Sequence, residues 1–125
     1  MRPSLAACAA IAVIPTIAAT LPARAQTQPA PAVAAGQIER GAYDRAERQL
    51  ASALRVEPAQ PEALLNLAVV YARTGRAAAA RDLYRRVLDQ PDVLMDLANG
   101  NSAGSHRIAQ AGLAHLARTS PDAVR

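Results

Sequence analysis

The sequence has no phenylalanine, no tryptophan and no lysine, and among its 125 residues it has one cysteine and three tyrosines. Without large aromatic rings, a core has to be assembled from thin side chains. Hydrophobic residues make up 51% of the chain, and many of them are alanine. Alanine buries useful apolar area only where backbones approach closely. It is the best helix former and is depleted in strands, so composition predicts an all-α fold. The length is that of one small domain. All cationic side chains other than the two histidines are arginine, which together with the alanine excess reads as a coding bias. The formal charge is +4, and acidic and basic residues are interspersed after the first 25 positions. A nucleic-acid footprint would show a one-signed stripe, so no nucleic-acid partner is expected.

Residues 1–25 carry the features of a secretory signal peptide. Arg2 supplies the positive start, Leu5 to Leu21 is uncharged and rich in alanine, and Ala23-Arg24-Ala25 is a small-x-small cleavage site. Pro22 would break a helix just ahead of the scissile bond. Pro15 and the weak hydrophobicity of alanine disfavour retention as a membrane anchor. The expectation is cleavage after Ala25, export to the periplasm or cell envelope of a bacterium, and no membrane span afterwards. Leu5-Ala6-Ala7-Cys8 is similar to a lipoprotein signal, but the apolar stretch follows the cysteine instead of preceding it. Cleavage after Ala25 would leave no cysteine, hence no disulfide and no thiol chemistry. Residues 26–31, Gln-Thr-Gln-Pro-Ala-Pro, form a Pro-rich leader expected to be disordered.

The remainder contains an internal repeat. Gly41 recurs as Gly75, Ala46 as Ala80 and Leu54 as Leu88, always 34 positions apart, with Leu50 opposite Tyr84 and Ala53 opposite Val87. Both copies run on to a proline, Pro58 and Pro91. Tyr43, Ala46, Leu50, Ala53 and Leu54 share one face of a helix, as do Leu64, Leu67, Ala68 and Tyr71, and then Ala80, Leu83, Tyr84, Val87 and Leu88. Gly75 suits the left-handed residue that ends a helix, and Pro61 suits the first turn of one. Ala46 and Ala80 are small where two helices cross.

This pattern resembles the tetratricopeptide repeat family. One whole copy fits from Pro61 to about Pro91, with Leu64, Leu67, Ala68 and Tyr71 at the packing positions of a first helix. Gly75 falls at the turn, and Ala80, Tyr84 and Val87 fall on the second helix. The earlier copy matches only from Gly41 to Pro58. Before it, Ala32 to Arg40 lacks the usual large residues and predicts a helix of two turns at best. The resemblance implies antiparallel helix hairpins across residues 32–91. The pattern then stops. Residues 92–104 read as an irregular linker in which Val93, Met95 and Leu97 alternate, a pattern compatible with a short extended segment. Residues 105–118 read as a capping helix, with Ser105 as its N-cap and Ile108, Ala109, Gly112, Leu113 and Leu116 on its apolar side. Gly112 costs a helix about 1 kcal/mol and so predicts close contact with a neighbour. Residues 119–125 read as a flexible tail.

No catalytic constellation emerges. His106 and His115 lie nine residues apart, about 13.5 Å along a helix axis, too far to share a metal, and no clustered ligands accompany them. Asp92 and Asp96 read as helix-start charges, and His106 reads as a surface residue. No cofactor and no metal are expected. The resemblance implies instead that the first helix of a pair lines a concave surface for a peptide or a partner helix. On this chain that face would show Glu62, Leu65, Asn66, Val69, Ala72 and Arg73. Asn66 carries both a donor and an acceptor for a partner's main chain, and Arg73 could pair with a carboxylate. The reading is a non-catalytic protein-interaction module, an adaptor or scaffold, with Glu62, Leu65, Asn66, Val69 and Arg73 as the partner-binding set. Two alternatives remain open: a self-associating homo-oligomer, and an accessory subunit of an envelope enzyme or transport complex.

Overall fold

The computed structural model describes residues 30–97 and 99–119. The signal segment, leader residues 26–29 and the tail from residue 120 lie outside the described residues. Among the described residues five helices and one short β-hairpin follow in order: α1 (Ala30–Glu39), α2 (Tyr43–Val56), α3 (Pro61–Arg73), α4 (Ala77–Leu88), β1 (Leu94–Asp96), β2 (Ser102–Gly104) and α5 (Ser105–Thr119).

The two glycines of the repeat produce the same local geometry. Gly41 has φ 74° and Gly75 φ 80°, values that a side chain disfavours. In the first copy the Ala42 N–H donates to Gln37 O at 2.9 Å and the Gly41 N–H to Ile38 O at 3.0 Å. In the second, Arg76 N–H donates to Tyr71 O at 2.8 Å and Gly75 N–H to Ala72 O at 3.4 Å. Both are paired bonds of the Schellman type, which satisfy the last carbonyls of one helix and aim the chain into the next. Each helix pair then closes on its alanine, and both Ala46 and Ala80 are fully buried.

The pairs α1–α2 and α3–α4 are antiparallel hairpins. α2 packs against α3, and α4 against α5, so the stack continues through all five helices. α1 also meets α3, and α3 meets α5. The first helices of successive pairs therefore form an inner layer, with α2 and α4 outside it. One core runs through the stack, with Leu50, Leu64, Val70 and Val87 fully enclosed. Each such side chain contributes about 1.5–3 kcal/mol of burial. Gly112 of α5 lies against Tyr84, whose ring fills the space an added Cβ would need. This close approach is the contact that the helix-weakening glycine predicted.

Three expectations need correction. The leading helix is not a two-turn fragment beginning at Ala32; α1 starts at Ala30 and has 10 residues, almost three turns. Pro31 is accommodated in its first turn, where the missing N–H is harmless, and is itself buried. Leader residues 30–31 thus belong to the fold. Residues 92–104 are not an irregular linker. They contain an antiparallel β-hairpin pairing Leu94 with Gly104, Met95 with Ala103 and Asp96 with Ser102. Gly100, at φ 79°, lies in its turn. Finally, Ser105 does not cap α5. It is the first residue of that helix, and the cap comes from Asp92 across the base of the hairpin. Asp92 Oδ1 accepts the His106 N–H at 2.9 Å and the Ser105 hydroxyl at 3.2 Å.

Candidate functional site: the inner face and its two cavities

Local sequence placed five partner-binding residues on one helix face, but the fold distributes them differently. Leu65 is 4% exposed and belongs to the core. Asn66 is already engaged: its Nδ2 donates to Pro31 O at 3.0 Å, which ties α3 to the first turn of α1. Leu65 is thus unavailable to a partner, and Asn66 has committed one of its two amide N–H donors inside the fold. Glu62, Val69 and Arg73 remain near the surface, at opposite ends of α3.

Two cavities mark those ends. The larger, about 560 Å³, lies where the first turns of α1 and α3 face β1. It is lined by Ala32, Gln60, Pro61, Glu62 and residues 93–96. The smaller, about 270 Å³, lies between the last turns of α3 and α5. Val69, Ala72, Tyr84 and Leu116 give it an apolar lining, and Arg73, His115 and Thr119 a polar one. Arg73 sits at the C-terminal end of α3, where positive charge is favoured. Burial pushes the Tyr84 phenol above its ordinary pKa, so it stays neutral there.

Sequence reading missed two polar devices, because each joins residues far apart in the chain. Arg76 Nη1 and Nη2 donate to both carboxylate oxygens of Glu47, at 2.8 and 2.7 Å. The guanidinium also lies over the Tyr71 ring, 4.2 Å from its centroid. The Arg76 hydrogen bonds hold the Glu47 carboxyl below its usual range. This fork links α2 to the turn before α4 on the outer side of the stack. The second device is the Asp92 clamp. The His106 N–H bond, reinforced by the Ser105 hydroxyl, lowers the Asp92 pKa. Ser105 Oγ accepts the Val93 N–H at 3.0 Å, and the Ser105 N–H donates to Val93 O at 2.8 Å. His106, read as a plain surface residue, is half-buried. A ring nitrogen, Nε2, lies 2.6 Å from Gln90 O; since a carbonyl only accepts, that nitrogen carries the hydrogen. The reading of Asp92 as a helix-start charge holds, but for α5 and not for a helix of its own. Asp96 starts no helix; it lies in β1.

Among the described residues no group of three or more His, Cys, Asp or Glu side chains could hold a metal ion. No described helix is long and apolar enough to cross a membrane. Among the described residues the arrangement offers surfaces and grooves, and the Ser105, Asp92 and His106 groups that do meet are engaged with the backbone at the base of the hairpin.

Antiparallel helix hairpins joined by matched glycine turns, with their first helices lined up as one layer, define a helical-repeat protein. The family is specific: residues 34–92 match the tetratricopeptide repeat model. This region carries tetratricopeptide repeats, which generally mediate protein–protein interaction. No curated protein and no solved structure matches the chain significantly. The family match ends at residue 92, immediately before the β-hairpin.

Proposed function

We propose that this chain is a non-catalytic adaptor of the bacterial periplasm or cell envelope that holds a protein segment against its inner face. The observation that carries this reading is the layer of α1, α3 and α5 with open cavities at both ends of α3. The partner would lie along that layer, with Val69 and Arg73 contacting it near α5 and Glu62 near the hairpin. Leu65 and Asn66 serve the fold instead. Export rests on the charged start, the alanine-rich stretch and the cleavage site of residues 1–25.

Cell fractionation with N-terminal sequencing of the mature chain tests the location. The expected result is an envelope-fraction protein beginning at Gln26; a cytoplasmic protein retaining Met1 would overturn it. Photo-crosslinking from Val69 in intact cells tests the surface. It should yield a defined heterologous adduct that Arg73→Glu diminishes. Adducts scattered equally over Val69 and a control position on the outer face of α4, such as Arg85, would overturn the inner-face assignment.

A further inference from the structure

The β-hairpin lies beyond the family match, so its role has to be read from its own geometry. Among the described residues three large hydrophobic side chains are exposed: Val56, Val93 and Leu94. Two of them line the 560 Å³ cavity, and Leu94 is 74% exposed. This cavity is also one-signed. Its only ionisable lining residues are the carboxylates Glu62 and Asp96. Glu62 makes no hydrogen bond or ion pair with a described residue, and Asp96 Oδ1 accepts only the Ser102 hydroxyl, at 2.8 Å. The N-termini of α1 and α3 oppose this charge with about +0.5 each, and two full carboxylates outweigh them.

The backbone of β1 adds a direction. The Ser105 N–H bonds Val93 O at 2.8 Å, and the Leu97 N–H bonds Asn101 O at 2.7 Å. In an antiparallel ladder bonded pairs alternate, so Met95 turns its backbone groups toward β2. Leu94 and Asp96 turn theirs away, to an edge that no described strand covers. Side chains two apart share a face, so Leu94 and Asp96 also project together.

We propose that β1 is a docking edge for an extended segment of a protein partner in which a basic and an apolar residue stand two apart. The segment adds a third strand, hydrogen-bonding to Leu94 and Asp96. Its apolar side chain lies against Leu94, and its basic side chain reaches Asp96 and Glu62. The proposal rests on the protein-binding reading above but places the contact on the hairpin, not along α3.

The test uses the mature chain and a fluorescein-labelled peptide, Thr-Val-Thr-Arg-Thr-Val-Thr, followed by fluorescence anisotropy. A second peptide carries Glu in place of Arg. The Arg peptide should bind and the Glu peptide should not. Glu62→Gln with Asp96→Asn should weaken binding about tenfold, as expected for two solvent-facing ion pairs. Leu94→Pro removes one outward N–H and no bond to β2, and should abolish binding while the circular dichroism stays unchanged. Should that variant misfold, Glu62→Lys with Asp96→Lys should invert the preference toward the Glu peptide. Equal binding of both peptides, no binding of either, or unchanged binding to Leu94→Pro each overturns the proposal. So does a concentration-dependent dimer that Leu94→Pro dissolves, since a second copy would then occupy the edge. Loss of the hairpin site with retention of the Val69 adduct leaves the inner-face reading standing.

Discussion

The two copies of the repeat share a register but not a fate. Ala63, Leu67 and Val70 of α3 are 0, 5 and 0% exposed, because α2 packs against that helix. The positions 34 residues earlier are Pro29, which lies outside the described residues, and Val33 and Gly36, which are only half-buried. No described helix precedes α1 to cover them. The same seat is thus closed by a neighbour in one copy and open in the other. A repeat unit does not bury its faces alone; its neighbours do it.

The sharpest way to break that comparison is a matched pair of truncations. Leu67→Ala removes a side chain buried in the core and should cost about 2–5 kcal/mol. Val33→Ala, at the register-equivalent position, should cost well under half as much, since its side chain is already partly in water. Thermal or urea unfolding followed by circular dichroism reads both. Equal losses would mean that α1 is covered on its outer side after all.

What was legible in the sequence was what local chemistry decides. Gly41 and Gly75 mark helix ends because they can take positive φ. Ala46 and Ala80 mark crossings because nothing larger fits, and Gly112 announces the Tyr84 contact. α1 was underread because its packing uses Pro31, Ala34 and Gln37, none of them a large apolar residue. The alternation of Val93, Met95 and Leu97 hinted at an extended segment, but its pairing into a hairpin was missed because three-residue strands carry almost no periodic signal and their anchor, Asp92, acts on a helix 13 residues away. The candidate site was only partly legible for a related reason. Helical spacing put Glu62, Leu65, Asn66, Val69 and Arg73 on one face correctly, but it could not show that α1 lies across the middle of that face.

Asn66 sharpens this last point. A free groove asparagine could be replaced with no loss of stability and a loss of binding. Here its amide holds Pro31 O, so Asn66→Ala should cost about 0.5–1.5 kcal/mol, and the effect should be felt first at α1. Hydrogen exchange should show faster exchange in residues 32–39 while α4 and α5 keep their protection. Unchanged exchange in α1 would return Asn66 to the free surface.

The smallest effect separates the repeat from the hairpin that follows it. Asp92 is exposed and makes its bonds in solvent, so its contribution is screened, yet its folded pKa is lowered. A lowered carboxylate stabilises the fold above its unfolded pKa, about 3.9, and that stability is lost as the pH falls through the folded value. Acidification below pH 4 should therefore loosen the 92–106 segment, and Asp92→Asn should flatten this part of the pH profile. Glu47 is lowered too, by a bond within the stack, so it adds a second acid-sensitive contact on α2. The two are distinguished by position: amide NMR should show the His106 and Val93 signals moving with the Asp92 titration, and Glu47→Gln should leave those shifts in place. Gly104 offers an independent handle. A Cβ there would lie 2.6 Å from Asp92 Oδ2, so Gly104→Ala has to push the carboxylate off the α5 N-terminus. It should mimic the acid form at neutral pH and leave α1 to α4 unaltered; a coupled change in the Ala46 and Ala80 crossings would show that the hairpin is part of the stack and not an appendage to it.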